Sequence, residues 1–169
     1  MSASAKNNLQ NLSHIQLAYL AGFIDGDGSI FAQIKKRDDY ILKFQISLSI
    51  VFFQKKQRKH HLIQIQNEIG NGVLRERNDG MIELTLTGTN LVGSFLNLLK
   101  PFLRLKKKQA NLMLKIIEQL PSIKNNSEKF ITICELVDQI ALLNDSKNRL
   151  ITSETVKKTY LEPEKIEKL

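Results

Sequence analysis

The sequence has a single cysteine, no tryptophan and only 3 prolines in 169 residues. One cysteine excludes a disulfide within the chain and a cysteine-rich zinc site. Cys134 stands among apolar residues, which predicts a small buried side chain. No apolar run approaches the roughly 18 residues that a membrane-spanning helix needs, so no membrane partner is expected.

Targeting signals are also missing from the N-terminal residues. Residues 1–11 contain neither an apolar stretch typical of a secretory signal nor the arginines typical of a transit peptide. We therefore expect the protein to act in the compartment where it is made.

Acidic residues are fewer than basic ones, 17 against 25, which gives a formal net charge of +8. Such an excess favours a polyanionic partner, either nucleic acid or an anionic membrane surface. The hydrophobic fraction of 42% is enough for one domain with an ordinary core.

Hydrophobic spacing predicts an α+β fold in the order helix, hairpin, helix, hairpin and further helices. Ser13 and Gln16 fit a capping box that starts a helix near His14, and Gly26 with Gly28 is expected to break it. Strand patterns cover 29–37, about 40–53, 73–77 and 81–87, which predicts one antiparallel sheet. Helical patterns cover 55–69, 90–99 with Thr89 as its cap, 107–119, 127–143 and 152–161.

Two acids and two glycines alternate where the first helix should end. A carboxylate at a helix end, flanked by glycines, can approach a metal ion and a phosphate without a steric clash. The negative end of the helix dipole also favours a cation there. The residue pattern alone favours a glycine-rich turn in which Asp25 and Asp27 are simply solvated.

The first helix is apolar on nearly every side, and Gly22 and Gly26 lie about one turn apart. A small domain can rarely bury such a helix by itself. We therefore expect a close helix–helix contact, for which a second copy of the chain is one candidate.

Residues 20–28, Leu-Ala-Gly-Phe-Ile-Asp-Gly-Asp-Gly, closely resemble the motif that names the LAGLIDADG homing endonucleases. Segments 54–58, 103–111 and 143–147 resemble the matching regions of the single-motif, homodimeric branch encoded in algal chloroplast introns. The resemblance implies the LAGLIDADG endonuclease fold, with a helix-hairpin-helix-hairpin-helix core, a saddle-shaped four-stranded antiparallel sheet and C-terminal helices. We accordingly expect a flexible arm at 1–12, the endonuclease domain at 13–145, and a DNA-contacting loop with a short helix or tail at 146–169.

The same resemblance implies a metal site. Asp27 would bind a divalent metal with help from the backbone carbonyl of Gly26. Mg²⁺ is expected, and Mn²⁺ or Ca²⁺ could substitute for it in binding. Asp25 is expected to be a structural helix-end group, while Tyr19, Gly22 and Gly26 would lie in the contact between two chains.

Three further catalytic residues are implied around the metal. Gln54 would orient a water, and Arg58 and Lys106 would stabilise charge on the phosphate. Gln54 and Arg58 are four residues apart and are expected on one helical face. Lys107 is the obvious rival to Lys106. His60 and His61 could suggest a general base, but adjacent helical positions diverge by about 100°, so both are interpreted as ordinary helix residues.

An antiparallel ribbon fits the major groove of DNA, where side chains can reach base edges. The expected base-reading residues are Phe31, Gln33, Lys35, Arg37, Gln45, Ser47, Ser49, Arg75, Arg77, Glu83 and Thr85. The expected phosphate contacts are Lys43, Lys55, Lys56, Lys59, Lys107, Lys108 and Lys147. A hydrophilic sheet face without a nucleic-acid partner is the simpler alternative.

One motif per chain implies that two chains complete the catalytic centre. The predicted function is therefore a homodimer that cuts a long pseudo-palindromic site in double-stranded DNA with no organic cofactor. The family likeness implies that it acts in an organelle, the chloroplast. An RNA-splicing maturase and a non-catalytic DNA-binding regulator on the same fold remain alternatives.

Overall fold

The computed structural model describes residues 8–144 and 149–161. It confirms an α+β fold with one antiparallel sheet. The helices and strands are α1 (His14–Asp27), β1 (Gly28–Lys36), β2 (Phe44–Lys55), α2 (Lys59–Ile69), β3 (Val73–Glu76), β4 (Met81–Thr87), α3 (Thr89–Leu99), α4 (Lys107–Gln119), α5 (Ser127–Leu143) and α6 (Ser153–Leu161). Residues 1–7 of the predicted arm at 1–12, and residues 146–148 and 162–169 of the predicted C-terminal segment at 146–169, lie outside the described residues, and those boundaries stay predictions.

The four strands lie in the order β1-β2-β4-β3, so the two hairpins join through their long strands. Alternate residues of β1 and β4 are buried, as the sequence pattern predicts for strands with one covered face. Ile30, Ile50 and Leu86 are fully buried on the covered face. Helices α1 and α3 pack against the sheet, and this contact forms the centre of the core.

Helix α1 begins at the predicted capping box. The Ser13 hydroxyl accepts a hydrogen bond from the Gln16 amide at 3.3 Å, and the Gln16 side chain accepts one from the Ser13 amide at 3.0 Å. The sequence predicts a break at Gly26, but the helix continues through Gly26 to Asp27. Gly28 ends it in an extended conformation and begins β1.

Three predicted boundaries are wrong for local reasons. The second strand begins at Phe44 rather than near Tyr40, because Lys43 has a left-handed φ of 58° and residues 37–43 form a loop. Strand β2 runs through Lys55, so the next α-helix begins only at Lys59. Gly88, not Thr89, is the N-cap of α3, and no side chain caps that helix.

The C-terminal helix packs on α5 and reaches the first hairpin. Its Tyr160 hydroxyl donates a 2.6 Å hydrogen bond to the Leu42 carbonyl, beside the ring of Phe44. Cys134 of α5 is fully buried, as predicted, and burial raises the pKa of its thiol to about 12. Within 8–144 and 149–161, no helix is long and apolar enough to cross a membrane.

Candidate functional site

The end of α1 and the start of β1 form a tight corner. A Cβ atom at Gly28 would lie 2.6 Å from the Ile24 Cα and 3.1 Å from the Val51 carbonyl oxygen. Only glycine fits here, because both neighbours are backbone atoms. The corner leaves Gly26 and Asp27 exposed at the C-terminal end of the helix.

One groove beside this corner collects three of the predicted catalytic residues. It is lined by Gly26, Asp27, Gly28, Phe53, Gln54, Lys55, Arg58 and Met81. The Gln54 side-chain oxygen accepts hydrogen bonds from the Lys55 amide at 3.0 Å and from Arg58 Nη1 at 3.2 Å. Gln54 and Arg58 therefore meet as predicted, but the reason given was wrong: Gln54 lies in β2 and Arg58 in the following 3-10 turn, not on one helical face.

Lys106 lies in a second groove, which shares Gly28 with the first. This groove is lined by Asp25, Gly28, Ser29, Leu105, Lys106, Gln109, Leu143 and Asn144. The Lys106 ammonium donates a 2.7 Å hydrogen bond to the Asp25 carbonyl. Its rival, Lys107, is an exposed residue in the first turn of α4 and lines neither of these two grooves.

Asp25 has the structural role expected of it, although its partners were not foreseen. Its carboxylate accepts hydrogen bonds from the Arg104 amide at 2.7 Å and the Lys106 amide at 2.9 Å. The partners lie 79 and 81 residues further along the chain. No local sequence pattern can reveal a contact at that separation.

The residues at the corner suit a hard divalent cation. Asp27 offers an exposed carboxylate and Gly26 a backbone carbonyl, both oxygen donors, at the negative end of a helix. Across residues 8–144 and 149–161, no three His, Cys, Asp or Glu side chains cluster as a complete metal site. Further ligands would have to come from water, a phosphate or another chain.

The predicted interface residues lie on one exposed face of α1. Ile15 is 83% exposed and Tyr19 54%, and a Cβ added to Gly22 or Gly26 would meet no described atom within 4 Å. Within the described chain, therefore, no packing contact requires either glycine. A second backbone could approach this face closely.

His61 contacts that face, which sequence reasoning missed. Its Nε2 lies 2.8 Å from the Tyr19 hydroxyl oxygen, and its ring packs against Tyr19 and Phe23 at centroid distances of 5.8 and 5.4 Å. It thus ties α2 to the motif helix. His60 beside it is exposed, so the two histidines do not act as one site.

The outward face of the sheet is mostly polar. Gln33, Lys35, Arg75 and Arg77 are exposed, while Phe31, Gln45, Ser47, Glu83 and Thr85 are half-buried. Glu83 lies between two arginines, 3.9 Å from Arg75 and 3.7 Å from Arg77. Arg37 is held by Asp39 at 2.8 Å and by Gln45 at 3.0 Å, with its guanidinium over the Tyr40 ring.

The prediction that Ser49 lies open on this face is wrong. Ser49 is only 5% exposed, because it stands on a central strand between Phe31 of β1 and Thr87 of β4. Val51 is 3% exposed for the same reason, between Ser29 and Thr85. The accessible surface therefore lies on β1 and on the second hairpin more than at the centre of β2.

The lysines predicted to contact phosphate differ in whether they already bind a partner within the described chain. Lys56 and Lys59 both bind Glu76, at 2.7 and 2.8 Å, and these hydrogen bonds lower the pKa of the Glu76 carboxyl to about 2. Lys43 donates to the Asp38 carbonyl at 3.2 Å. Lys55, Lys107 and Lys108 are exposed, and Lys147 lies outside the described residues.

A sequence model of the LAGLIDADG endonucleases matches residues 20–117, which include the α1 corner and both hairpins. The chain belongs to the LAGLIDADG endonuclease family. The family inferred from residues 20–28 is thus confirmed.

Two curated LAGLIDADG endonucleases are similar over most of the chain. DNA endonuclease I-CreI of Chlamydomonas reinhardtii is 53% identical over 141 residues, which cover 83% of this chain and 86% of that protein. DNA endonuclease I-CvuI of Chlorella vulgaris is 43% identical over 143 residues, covering 85% and 88%. A crystal structure of I-CvuI in complex with its target in the presence of 2 mM Ca has a TM-score of 0.83 at 40% identity, covering 88% of this chain and 94% of that one. The predicted fold is confirmed.

Proposed function

We propose that this protein is a site-specific homing endonuclease that hydrolyses both strands of double-stranded DNA as a homodimer with a divalent metal. The observation that carries the proposal is the α1 corner, where an exposed Asp27 shares a groove with Gln54 and Arg58 in a chain of this family. The relatives I-CreI and I-CvuI are both named DNA endonucleases.

Asp27 and the Gly26 carbonyl would hold the metal, for which Mg²⁺ is the expected ion. A divalent metal bound there would supply Lewis-acid stabilisation of phosphate charge and a more acidic water. Ca²⁺ or Mn²⁺ is expected to support DNA binding, and a complex of I-CvuI with its target has been crystallised in the presence of Ca.

The other proposed catalytic side chains act on the phosphate and on solvent. Gln54, whose side-chain oxygen accepts a 3.2 Å hydrogen bond from Arg58, would orient a water in the groove. Arg58 offers guanidinium hydrogen bonds to the charge that develops on the phosphate oxygens. Lys106 would add a second positive charge from the neighbouring groove, which also includes Gly28.

The exposed face of α1 is the proposed contact between two copies of the chain. Tyr19, Gly22 and Gly26 lie on it, and it is continuous with the corner that carries Asp27. A two-fold pairing of these helices would bring two Asp27 carboxylates together. Because a two-fold dimer presents the same reading surface twice, its target is pseudo-palindromic.

The outward sheet face is the proposed reading surface in the major groove. Phe31, Gln33, Lys35, Arg37, Gln45, Ser47, Arg75, Arg77, Glu83 and Thr85 keep this assignment, and Ser49 does not. The exposed lysines give the sequence-independent, salt-sensitive part of the affinity. We also propose an intron-encoded origin in a chloroplast, which the likeness to I-CreI and I-CvuI supports.

A randomised DNA library incubated with the protein and Mg²⁺ tests the function. Recovery of one long, two-fold-related cleaved sequence is the expected result, with cleavage lost in Asp27→Asn. A folded protein that binds DNA but cuts no sequence would support the non-catalytic regulator instead. Sedimentation with and without the recovered DNA tests the dimer, and a monomer in both conditions would overturn the shared-site arrangement.

A further inference from the structure

The segment that carries Lys106 is fastened to the end of α1 through one residue. The two carboxylate oxygens of Asp25 are used separately: Oδ2 accepts from the Arg104 amide and Oδ1 from the Lys106 amide. The Asp25 backbone carbonyl accepts the Lys106 ammonium. Asp25 therefore holds Lys106 at both its main chain and the tip of its side chain.

The contact with the start of α4 offsets an unfavourable electrostatic position of the Asp25 carboxylate. A carboxylate in the last turn of α1 faces the negative end of its own helix dipole, which is unfavourable. The same carboxylate lies at the start of α4, where the dipole is positive and backbone amides need acceptors. Lys106 is the N-cap of α4 and no local side chain caps that helix, so Asp25 supplies the acceptor from elsewhere in the chain.

We propose that Asp25 is a positioning residue for cleavage: it fixes the Lys106 ammonium relative to the two residues that follow Asp25 along α1, Gly26 and Asp27. This inference rests on the proposed function, in which Lys106 stabilises phosphate charge. The two acids of the motif thus have different proposed roles. Asp25 is hydrogen-bonded within the chain, whereas Asp27 is exposed and available to a metal ion.

A double-mutant comparison of Asp25→Asn and Lys106→Met tests the proposal. Asparagine keeps one acceptor oxygen but points an N–H₂ group at a backbone N–H, so the Lys106 segment shifts. A displacement of about 1 Å near a reacting group can cost about 100-fold in rate. We expect single-turnover cleavage with Mg²⁺ to slow by about ten- to 100-fold in Asp25→Asn, while the Kd for the same DNA with Ca²⁺ changes less than about threefold.

The combined variant gives the decisive result. If Asp25 acts through Lys106, Asp25→Asn with Lys106→Met will cleave no more slowly than Lys106→Met alone. Asn126→Ala is the matched control, because Asn126 accepts the Lys129 amide at 2.9 Å at the start of α5, away from the site. It should lower the melting temperature as Asp25→Asn does, without slowing cleavage.

Two outcomes would overturn the inference: an unchanged rate in Asp25→Asn, or an equal loss whether or not Lys106 is present. Wild-type cleavage by Lys106→Met would instead refute the proposed role of Lys106, which separates the two failures. Should Asp25→Asn not fold, Asp25→Glu retains both carboxylate oxygens and serves in the same comparison.

Discussion

The rest of the described chain covers one face of α1 and leaves the other exposed. The inward face is covered completely, with Leu20, Ala21 and Ile24 at 0% exposure. The outward face carries Ile15 at 83% exposure and two glycines, Gly22 and Gly26, where an added Cβ would meet no described atom within 4 Å. Both faces are apolar in sequence, so the difference becomes visible only in three dimensions. It separates motif residues that build the fold from those proposed to contact a second chain and a metal.

The largest expected effect comes from Asp27, the exposed acid. Asp27→Asn should slow single-turnover cleavage by about 1000-fold or more, because a bound metal is worth several kcal/mol of transition-state stabilisation. The melting temperature should stay within a degree or two of wild type, since the side chain is exposed. Wild-type cleavage by Asp27→Asn with Mg²⁺ would refute the catalytic assignment.

Alanine truncations of Leu20 and Ile15 compare the two faces directly. Leu20→Ala should cost about 2–5 kcal/mol of unfolding free energy, because it empties fully buried space. Ile15→Ala removes an 83% exposed side chain, so it should leave the dilute protein's urea midpoint nearly unchanged. It should instead weaken association, which urea melts over a 100-fold range of protein concentration would show as a changed concentration dependence. A large loss of unfolding free energy in Ile15→Ala at every protein concentration would contradict the comparison.

The motif glycines should respond to alanine with opposite signs. Gly28→Ala forces a Cβ within 2.6 Å of a backbone atom and should destabilise the fold by about 1–3 kcal/mol. Gly22→Ala meets open space within the chain and should stabilise the unassembled helix by up to about 1 kcal/mol. The same Gly22→Ala change should weaken the dimer in sedimentation, because a methyl group separates the two backbones. Unchanged dimer affinity would remove Gly22 from the interface.

The smallest effect is expected at the start of α1, which both faces share. Ser13→Ala removes the capping bond to Gln16 and should cost about 1 kcal/mol. Thr89→Ala is the control, since no side chain caps α3. Thermal melts of the two variants should differ, and equal melting temperatures would contradict the capping assignment.

Local patterns in the sequence predict the regular elements well. The alternation in β1 and β4 and the bounds of α4 and α5 follow from side-chain spacing that tertiary packing does not alter. The failures are non-local or conformational. Lys43 takes a left-handed φ that its residue type does not predict, and Ser49 is covered by strands far along the chain.

In the candidate site, too, local pattern and family resemblance predict the residues, whereas contacts between distant residues are not predicted. The residue order predicts Asp27 at a helix end, and the family resemblance adds Gln54, Arg58 and Lys106. Neither shows that Asp25 binds the Lys106 segment, since that contact spans 81 residues. His61 is interpreted from the sequence as an ordinary helix residue because adjacent helical positions diverge by about 100°. Its contact with Tyr19, 42 residues away, is not visible in that local pattern.

The hydrogen bond from Tyr160 to the Leu42 carbonyl carries a consequence for late mutations in the gene. The tip of the first hairpin holds the Arg37 and Tyr40 pair, yet its support comes from the last described helix. A premature stop after α5 would spare the motif, the sheet and most of the core. It would remove the hydrogen bond from Tyr160 that supports part of the proposed reading surface. We expect such a truncated protein to stay folded and to discriminate less well between its target and related DNA sequences.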